Sequence, residues 1–422
     1  MRTRRSITFL FTVFMIMMSL PSAVSADTGA GSPSIFKSIT TFEFPIILIL
    51  IALILILFTG VKVANIDEWQ KEPLSLETSK AIQGFAAVAI IIHHLSQALM
   101  ERAGALAIFS EFGVLFVGIF FFFSGYGLYT SLKTKEDYLR GFLRKRLVTV
   151  LIPFYMCNFV FVICACICGM KFKGLELVSV LTGWTLLNSH MWYIVEIVIL
   201  YLAFYLFYRF IKNRTAATIA MAVFVVLMII GSLLLGHGDD YSCRYWFQGE
   251  WWYNSSFLFV LGIIVSKHSE AVSKIAKKFY YLLLIATAFL SGVLGIATSY
   301  MLANYSYWSE VPGVDPAYDD KFRCLSVQLP WIIIFVAFVL LLMMKVRFGN
   351  PVLKFLGSIS LELYLIHNLF LTGFSEGSIF KVPSASMFIL LTILFSVALA
   401  TILSGVDKYL IRLIKGKGKT SK

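Results

Sequence analysis

Residues 80–100 read KAIQGFAAVAIIIHHLSQALM, and this stretch decides the fold. Beyond Lys80 it has no Asp, Glu, Lys or Arg, and at 1.5 Å per residue it spans roughly 30 Å as a helix, the thickness of a bilayer core. Yet polar side chains interrupt it. On a 3.6-residue helix, Gln83, His94 and Glu101 fall within about 20° of one another, with Gln97 about 60° to one side. His93 points about 100° away from His94. Polar groups are costly against lipid, so this stripe requires other helices to cover it. The expected fold is therefore an all-α polytopic transmembrane helical bundle.

The composition of the whole chain agrees. Hydrophobic residues make up 59% and charged residues 14% of 422, with a mean hydropathy of +0.85. A soluble domain carries about 25% charged residues, so this chain cannot clothe a soluble surface. Apolar runs near 44–61, 80–100, 112–131, 147–169, 191–210, 215–236, 252–266, 279–300, 327–344, 355–373 and 385–406 give an expected eleven spans. The stretch 176–189 holds Gly183, Asn188 and Ser189 and is expected to be re-entrant or interfacial. Before these runs, Arg2, Arg4 and Arg5, an apolar core from Ile7 to Leu20 and the small residues Val24-Ser25-Ala26 read as a signal peptide over 1–26, or an uncleaved signal anchor. A short extracytoplasmic segment, 27–43, is expected to follow.

The net charge of +13 is explained by topology. Alternate connections carry 25 Lys and Arg on one side and 8 on the other, the asymmetry of cytoplasmic against external loops. The basic tail 407–422 is then cytoplasmic, the location is the plasma membrane, the lipid bilayer is the obligatory partner, and no nucleic acid is expected. Cys243 and Cys324 fall in two external loops, where a disulfide between them is expected and two separate thiols are the alternative.

Candidate chemistry follows from polar residues inside the spans. His94, with His93 beside it, is the candidate catalytic base, since imidazole titrates near neutrality; a packing histidine bonded to a carbonyl is the plain alternative. Adjacent histidines face apart on a helix, so no metal site is expected. Ser360, Tyr364 and His367 share one face of their span, and His190, Trp192 and Glu196 open another. Arg144, Lys145 and Arg146 precede a span. They serve as a positive-inside anchor or as a clamp for the phosphates of a cytoplasmic donor. The external segments 241–254 and 304–320 mix aromatic rings with acids and amides, which suits a polyhydroxyl ligand.

The order of five motifs resembles the acyltransferase 3 family of membrane acyltransferases. Gln83-Gly84-Phe85-Ala86-Ala87 through His93-His94 is similar to the family's R-G-x-A-A…H-H helix. Gly113-Val114…Phe122-Phe123-Ser124-Gly125-Tyr126 and Phe142-Leu143-Arg144-Lys145-Arg146…Pro153 resemble the next two motifs. His190-x-Trp192-Tyr193…Tyr201 and Gly357-x-x-Ser360…Tyr364-Leu365-x-His367 resemble the last two. The resemblance covers roughly 74–406, a ten-helix core, and leaves 44–61 as an extra N-terminal helix.

The resemblance implies transfer of an acyl group, usually acetyl, from cytoplasmic acetyl-CoA as donor substrate to a hydroxyl of an extracytoplasmic carbohydrate or glycolipid. It places the base on His94 and the donor contacts on Arg144 and Arg146. The family's arginine falls on Gln83, a departure that touches the donor side, with Lys80 one turn earlier as a substitute. Many members carry a hydrolase-like domain after the core, so a separate extracytoplasmic partner protein is an expectation. The rival reading is a transporter on the same scaffold, its polar stripes lining a substrate pathway.

Overall fold

The computed structural model describes residues 44–236, 248–311, 314–375 and 377–415. The signal at 1–26, the segment 27–43 and Cys243 lie outside the described residues. Fifteen α-helices are described. α1 (Phe44–Phe58), α2 (Leu76–Leu99), α3 (Gly113–Thr134), α4 (Phe142–Ile167) and α5 (Gly174–Thr182) come first. α6 (Trp192–Phe210), α7 (Arg214–Leu235), α8 (Trp251–Asn254), α9 (Phe257–Lys267) and α10 (Ser269–Lys278) follow. α11 (Tyr280–Tyr305), α12 (Tyr318–Lys345), α13 (Pro351–Ser358), α14 (Ser360–Phe374) and α15 (Ala385–Lys415) complete the chain. The one sheet among the described residues is a two-residue antiparallel ladder pairing Lys62 with Arg347 and Val63 with Val346.

Eight helices are long and apolar enough to cross a membrane, and ten crossings result if each of two bent pairs counts as one. The expected eleventh, α1, is only 15 residues of apolar helix. It is nevertheless tied to the bundle. Asn350 Nδ2 donates to the carbonyls of Ile56, Leu57 and Thr59 at 2.9, 3.1 and 2.9 Å, while its Oδ1 accepts from Leu353 N at 2.7 Å. One side chain thus satisfies terminal carbonyls of α1 and caps the N-terminus of α13.

The bent pairs depart from the straight spans expected. α9 and α10 meet at 85° because the apolar run ends at Lys267-His268-Ser269-Glu270; α10, with Lys274, Lys277 and Lys278, is amphipathic. α13 and α14 meet at 77°, and at that break Gly357 lies against the Lys80 carbonyl of α2, closer than a Cβ could come. The stretch expected to be re-entrant or interfacial forms α5, nine residues and about 14 Å long, held by Asn158 Nδ2 donating to the Val180 carbonyl at 2.8 Å.

The densest packing is between α3 and α9, with α2 and α12 also lying on α3. Small residues set that crossing. Gly125 sits on the Phe259 carbonyl and Gly262 on the Phe122 carbonyl, each where a side chain would collide with backbone. With little hydrophobic drive between helices in lipid, such close approach supplies the van der Waals contact that holds them.

Candidate active site

α2 carries His93 and His94 within its last two turns, and the helix stops at Leu99 because Met100 takes a left-handed φ of 49°. Glu101, expected on the same stripe, therefore falls outside the helix and is exposed. The chain turns back as a 3-10 segment, Met100–Phe109, broken at Gly104 with φ 53°. The return brings two carbonyls against the histidines. His93 Nδ1 lies 3.0 Å from the Phe109 oxygen. Gln97 Nε2 donates to the Ser110 oxygen at 3.2 Å, which turns Gln97 Oε1 toward His94 Nδ1 at 3.4 Å.

Those contacts assign the imidazole protons. A carbonyl oxygen only accepts, so His93 Nδ1 bears hydrogen. The Gln97 amide is oriented by Ser110, so its oxygen faces His94, and His94 Nδ1 bears hydrogen too. His94 Nε2 is left with its lone pair. A general base needs that arrangement.

Two more histidines join from distant parts of the chain. The His190 ring centroid lies 3.9 Å from that of His94, the His367 centroid 5.2 Å away with the rings 22° from parallel, and His190 and His367 are 5.8 Å apart. His367 Nδ1 is 2.6 Å from the Tyr364 carbonyl, so it too bears hydrogen, while its Nε2 is buried without a hydrogen-bond partner. Among the described residues, no three His, Cys, Asp or Glu side chains are arranged to hold a metal ion.

Asn188 holds the two later histidines in place. It is completely buried; its Nδ2 donates to the Leu365 carbonyl at 2.9 Å, and its Oδ1 accepts from His190 N at 3.1 Å and Asn368 Nδ2 at 3.0 Å. Tyr364 adds a second tie, its hydroxyl donating to the His190 carbonyl at 2.5 Å. Asn188 was legible only as a polar residue in an otherwise apolar run. Its role as a bridge between α6 and α14 depends on tertiary contact.

The remaining candidates scatter. Trp192 stacks on Trp251 at 5.0 Å and 9°. Glu196 is buried, with neither carboxyl oxygen bonded. Ser360 donates to the Gly357 carbonyl at 3.3 Å at the α13–α14 break, away from the imidazoles. Gln83 is half-buried and lies eleven residues, about 16 Å, down the helix from His94. Arg144 donates to the Ile414 carbonyl of α15, and Arg146 donates from Nε and Nη2 to the Tyr138 hydroxyl at 3.1 and 2.7 Å; Lys145 is exposed. Cys324 is buried, its sulfur 3.5 Å from the Tyr305 carbonyl, and the expected pairing with Cys243 falls outside the described residues.

The described external aromatics are mostly buried. Trp252, Tyr253 and Tyr307 are buried, the last two edge-to-face at 6.0 Å, while Trp308 is half exposed. Glu111, bonded to Ser299 of α11, has its carboxyl pushed up by burial, with the Ser299 hydroxyl pulling the other way.

No curated protein and no solved structure matches the chain. A family model described as an acyltransferase domain, that of the acyltransferase 3 family, matches residues 79–405, from the first turn of α2 into α15 and across all four histidines of the cluster. A match of that length and continuity makes the chain a member of the acyltransferase 3 family of membrane acyltransferases.

Proposed function

We propose that the protein is a membrane O-acyltransferase. It moves an acyl group, acetyl in the simplest case, from cytoplasmic acyl-CoA to a hydroxyl of an extracytoplasmic carbohydrate or glycolipid. In this reading it is a multi-pass plasma-membrane protein with its C-terminus in the cytoplasm. The observation that carries the reading is the imidazole cluster around His94, whose Nδ1–H is held by Gln97. Arg144 and Arg146 stand at the start of α4. There Phe142 stacks on Phe204 and Tyr205, near the end of α6 remote from His190. Basic groups at one end and a base near the other suit a donor and an acceptor that arrive from opposite sides.

In the reaction, His94 Nε2 takes the acceptor hydroxyl proton while that oxygen bonds to the thioester carbonyl carbon. The carbon–sulfur bond breaks, and the departing sulfur takes the proton from the His94 imidazolium, giving the ester and free CoA thiol. His367 and His190 line the space beside His94, and Tyr364 and Asn188 keep them there.

The test is acetyl-CoA binding and slow thioester hydrolysis by purified protein, compared with His94→Ala and with Arg144→Ala/Arg146→Ala. Hydrolysis lost with binding retained in the histidine variant supports the reading. Absence of acetyl-CoA binding by the wild type would overturn it in favour of a transporter.

A further inference from the structure

A hollow of about 570 Å³ opens at the end of the bundle that carries Arg144 and Arg146, between the α3–α4 and α6–α7 connections. Lys135, Arg140, Arg209, Lys212 and Arg214 line it, and Asp137 is the only carboxylate at its wall. None of these five cations makes an ion pair or a side-chain hydrogen bond among the described residues.

Positive-inside anchoring accounts for cations at this end, but not for the convergence of five of them on one hollow. Some cations elsewhere on the protein are engaged. Arg347 and Lys354 pair with Glu77, Lys345 donates to the carbonyls of Asn65, Ile66 and Glu68, Lys133 donates to Ser269, and Lys267 to Thr215. The five around the hollow instead face one shared space. Arg214 is also the first residue of α7, where a cation adds to the positive end of the helix dipole rather than opposing it. Asn213 Oδ1 already accepts from the Thr215 and Ala216 amides at the start of α7, so it is the arginine forks around the hollow that suit it to phosphate oxygens.

We propose that the hollow is a binding site for phosphate groups. Tyr138 lines it, and Arg146 donates twice to the hydroxyl of that ring, so Arg146 is a positioning residue that sets the wall. The α6 helix joins the two sites, with Arg209 in its last turn and His190 just before its first. In the acyl-CoA reading the ligand is the nucleotide end of the donor, and that choice of ligand rests on the reading. A phospholipid headgroup offers the same chemistry.

The experiment uses the full chain in zwitterionic nanodiscs, titrated with 3′,5′-ADP and with acetyl-CoA, and separately in nanodiscs containing phosphatidic acid, scored by lipid retention. Arg140→Gln/Arg214→Gln removes two cations from opposite walls, Lys274→Gln/Lys278→Gln on α10 is the charge-matched control, and thermal melting checks that each variant folds. Nucleotide binding at least tenfold weaker in the hollow variant, with the control unchanged, supports the site with the donor as ligand. Phosphatidic acid retention lost in the same variant, with no nucleotide bound by the wild type, supports the site with lipid as ligand and removes the donor reading. Nucleotide binding untouched by Arg140→Gln/Arg214→Gln overturns the site and leaves the donor reading intact. Binding of neither ligand by the wild type overturns both. Asp137→Asn, which removes the opposing carboxylate, tightens binding severalfold, a gain that misfolding cannot mimic; unchanged or weaker binding counts against the site.

Discussion

At the scale of single residues, the Gln97 amide converts a half-buried histidine into a candidate base. Its carboxamide is oriented by the Ser110 carbonyl and holds the His94 proton on Nδ1. His94→Ala is expected to lower acyl transfer by about 10²–10⁴-fold, the range for loss of a general base, with the melting temperature nearly unchanged. Gln97→Leu removes the tautomer lock while leaving the imidazole in place. It should lower kcat about tenfold with KM unchanged, as steady-state kinetics against acceptor concentration would read. Glu111 gives a pH prediction. Its carboxyl is raised from the ordinary value of 4.5 by burial, so the folded protein holds this proton more tightly than the unfolded chain does. That contribution is fully present below pH 4.5 and is lost as pH rises through the folded value. Glu111→Gln lacks the titration, so its melting temperature should gain on wild type as pH is raised above 4.5 in a scan.

At the scale of elements, helix crossings depend on glycines that face neighbouring backbone. Gly125 of α3 meets the Phe259 carbonyl of α9, whereas Gly127, two residues on, has nothing within 4 Å of where a Cβ would stand. Gly125→Val must push α9 away and is expected to destabilise the bundle by about 1–3 kcal/mol or more, as overpacking does. Gly127→Ala should be silent in the same melting assay. Equal effects at both positions would show that the crossing does not depend on this contact. The α2 segment is similarly constrained, because Gly84 lies against the Gly357 and Leu353 backbone of α13, and that contact helps set the direction in which α2 points His94.

At the scale of the whole molecule, one buried ion pair fastens the α11–α12 connection. Lys321 of α12 pairs with Glu310, with side-chain exposures of 0% and 6%. Removing one partner leaves a buried charge uncompensated, a cost of about 3–5 kcal/mol. Lys321→Met should therefore melt well below wild type, and Lys321→Met/Glu310→Leu should recover part of the loss; a double variant no better than the single would separate the two residues energetically.

The membrane-bundle character was legible in the sequence, and eight of the eleven apolar runs, or ten if each bent pair counts as one, form helices of spanning length, because insertion in lipid depends on run length and charge, which are local properties. The placement of Gln83, His94 and Gln97 on one helix was legible for the same reason, since helical periodicity places residues without knowledge of partners, whereas Glu101 falls beyond the helix end. The sequence also indicated the family through motif order. Where helices bend was not legible: the right angle at His268 and the break at Ile359 depend on which face each half buries. Nor was the assembly of His94, His190 and His367. These lie 96 to 273 residues from one another or share no periodicity, and only the packing of α2, α6 and α14 brings their rings within 6 Å. Arg144 and Arg146 read in the sequence as a positive-inside anchor or a phosphate clamp, and tertiary structure gives them a carbonyl and a phenol as partners while five other cations face a hollow. Sequence determined what each segment is soluble in; tertiary structure decided which polar groups meet, because hydrogen bonds and ring contacts act over a few ångströms between residues that the chain keeps far apart.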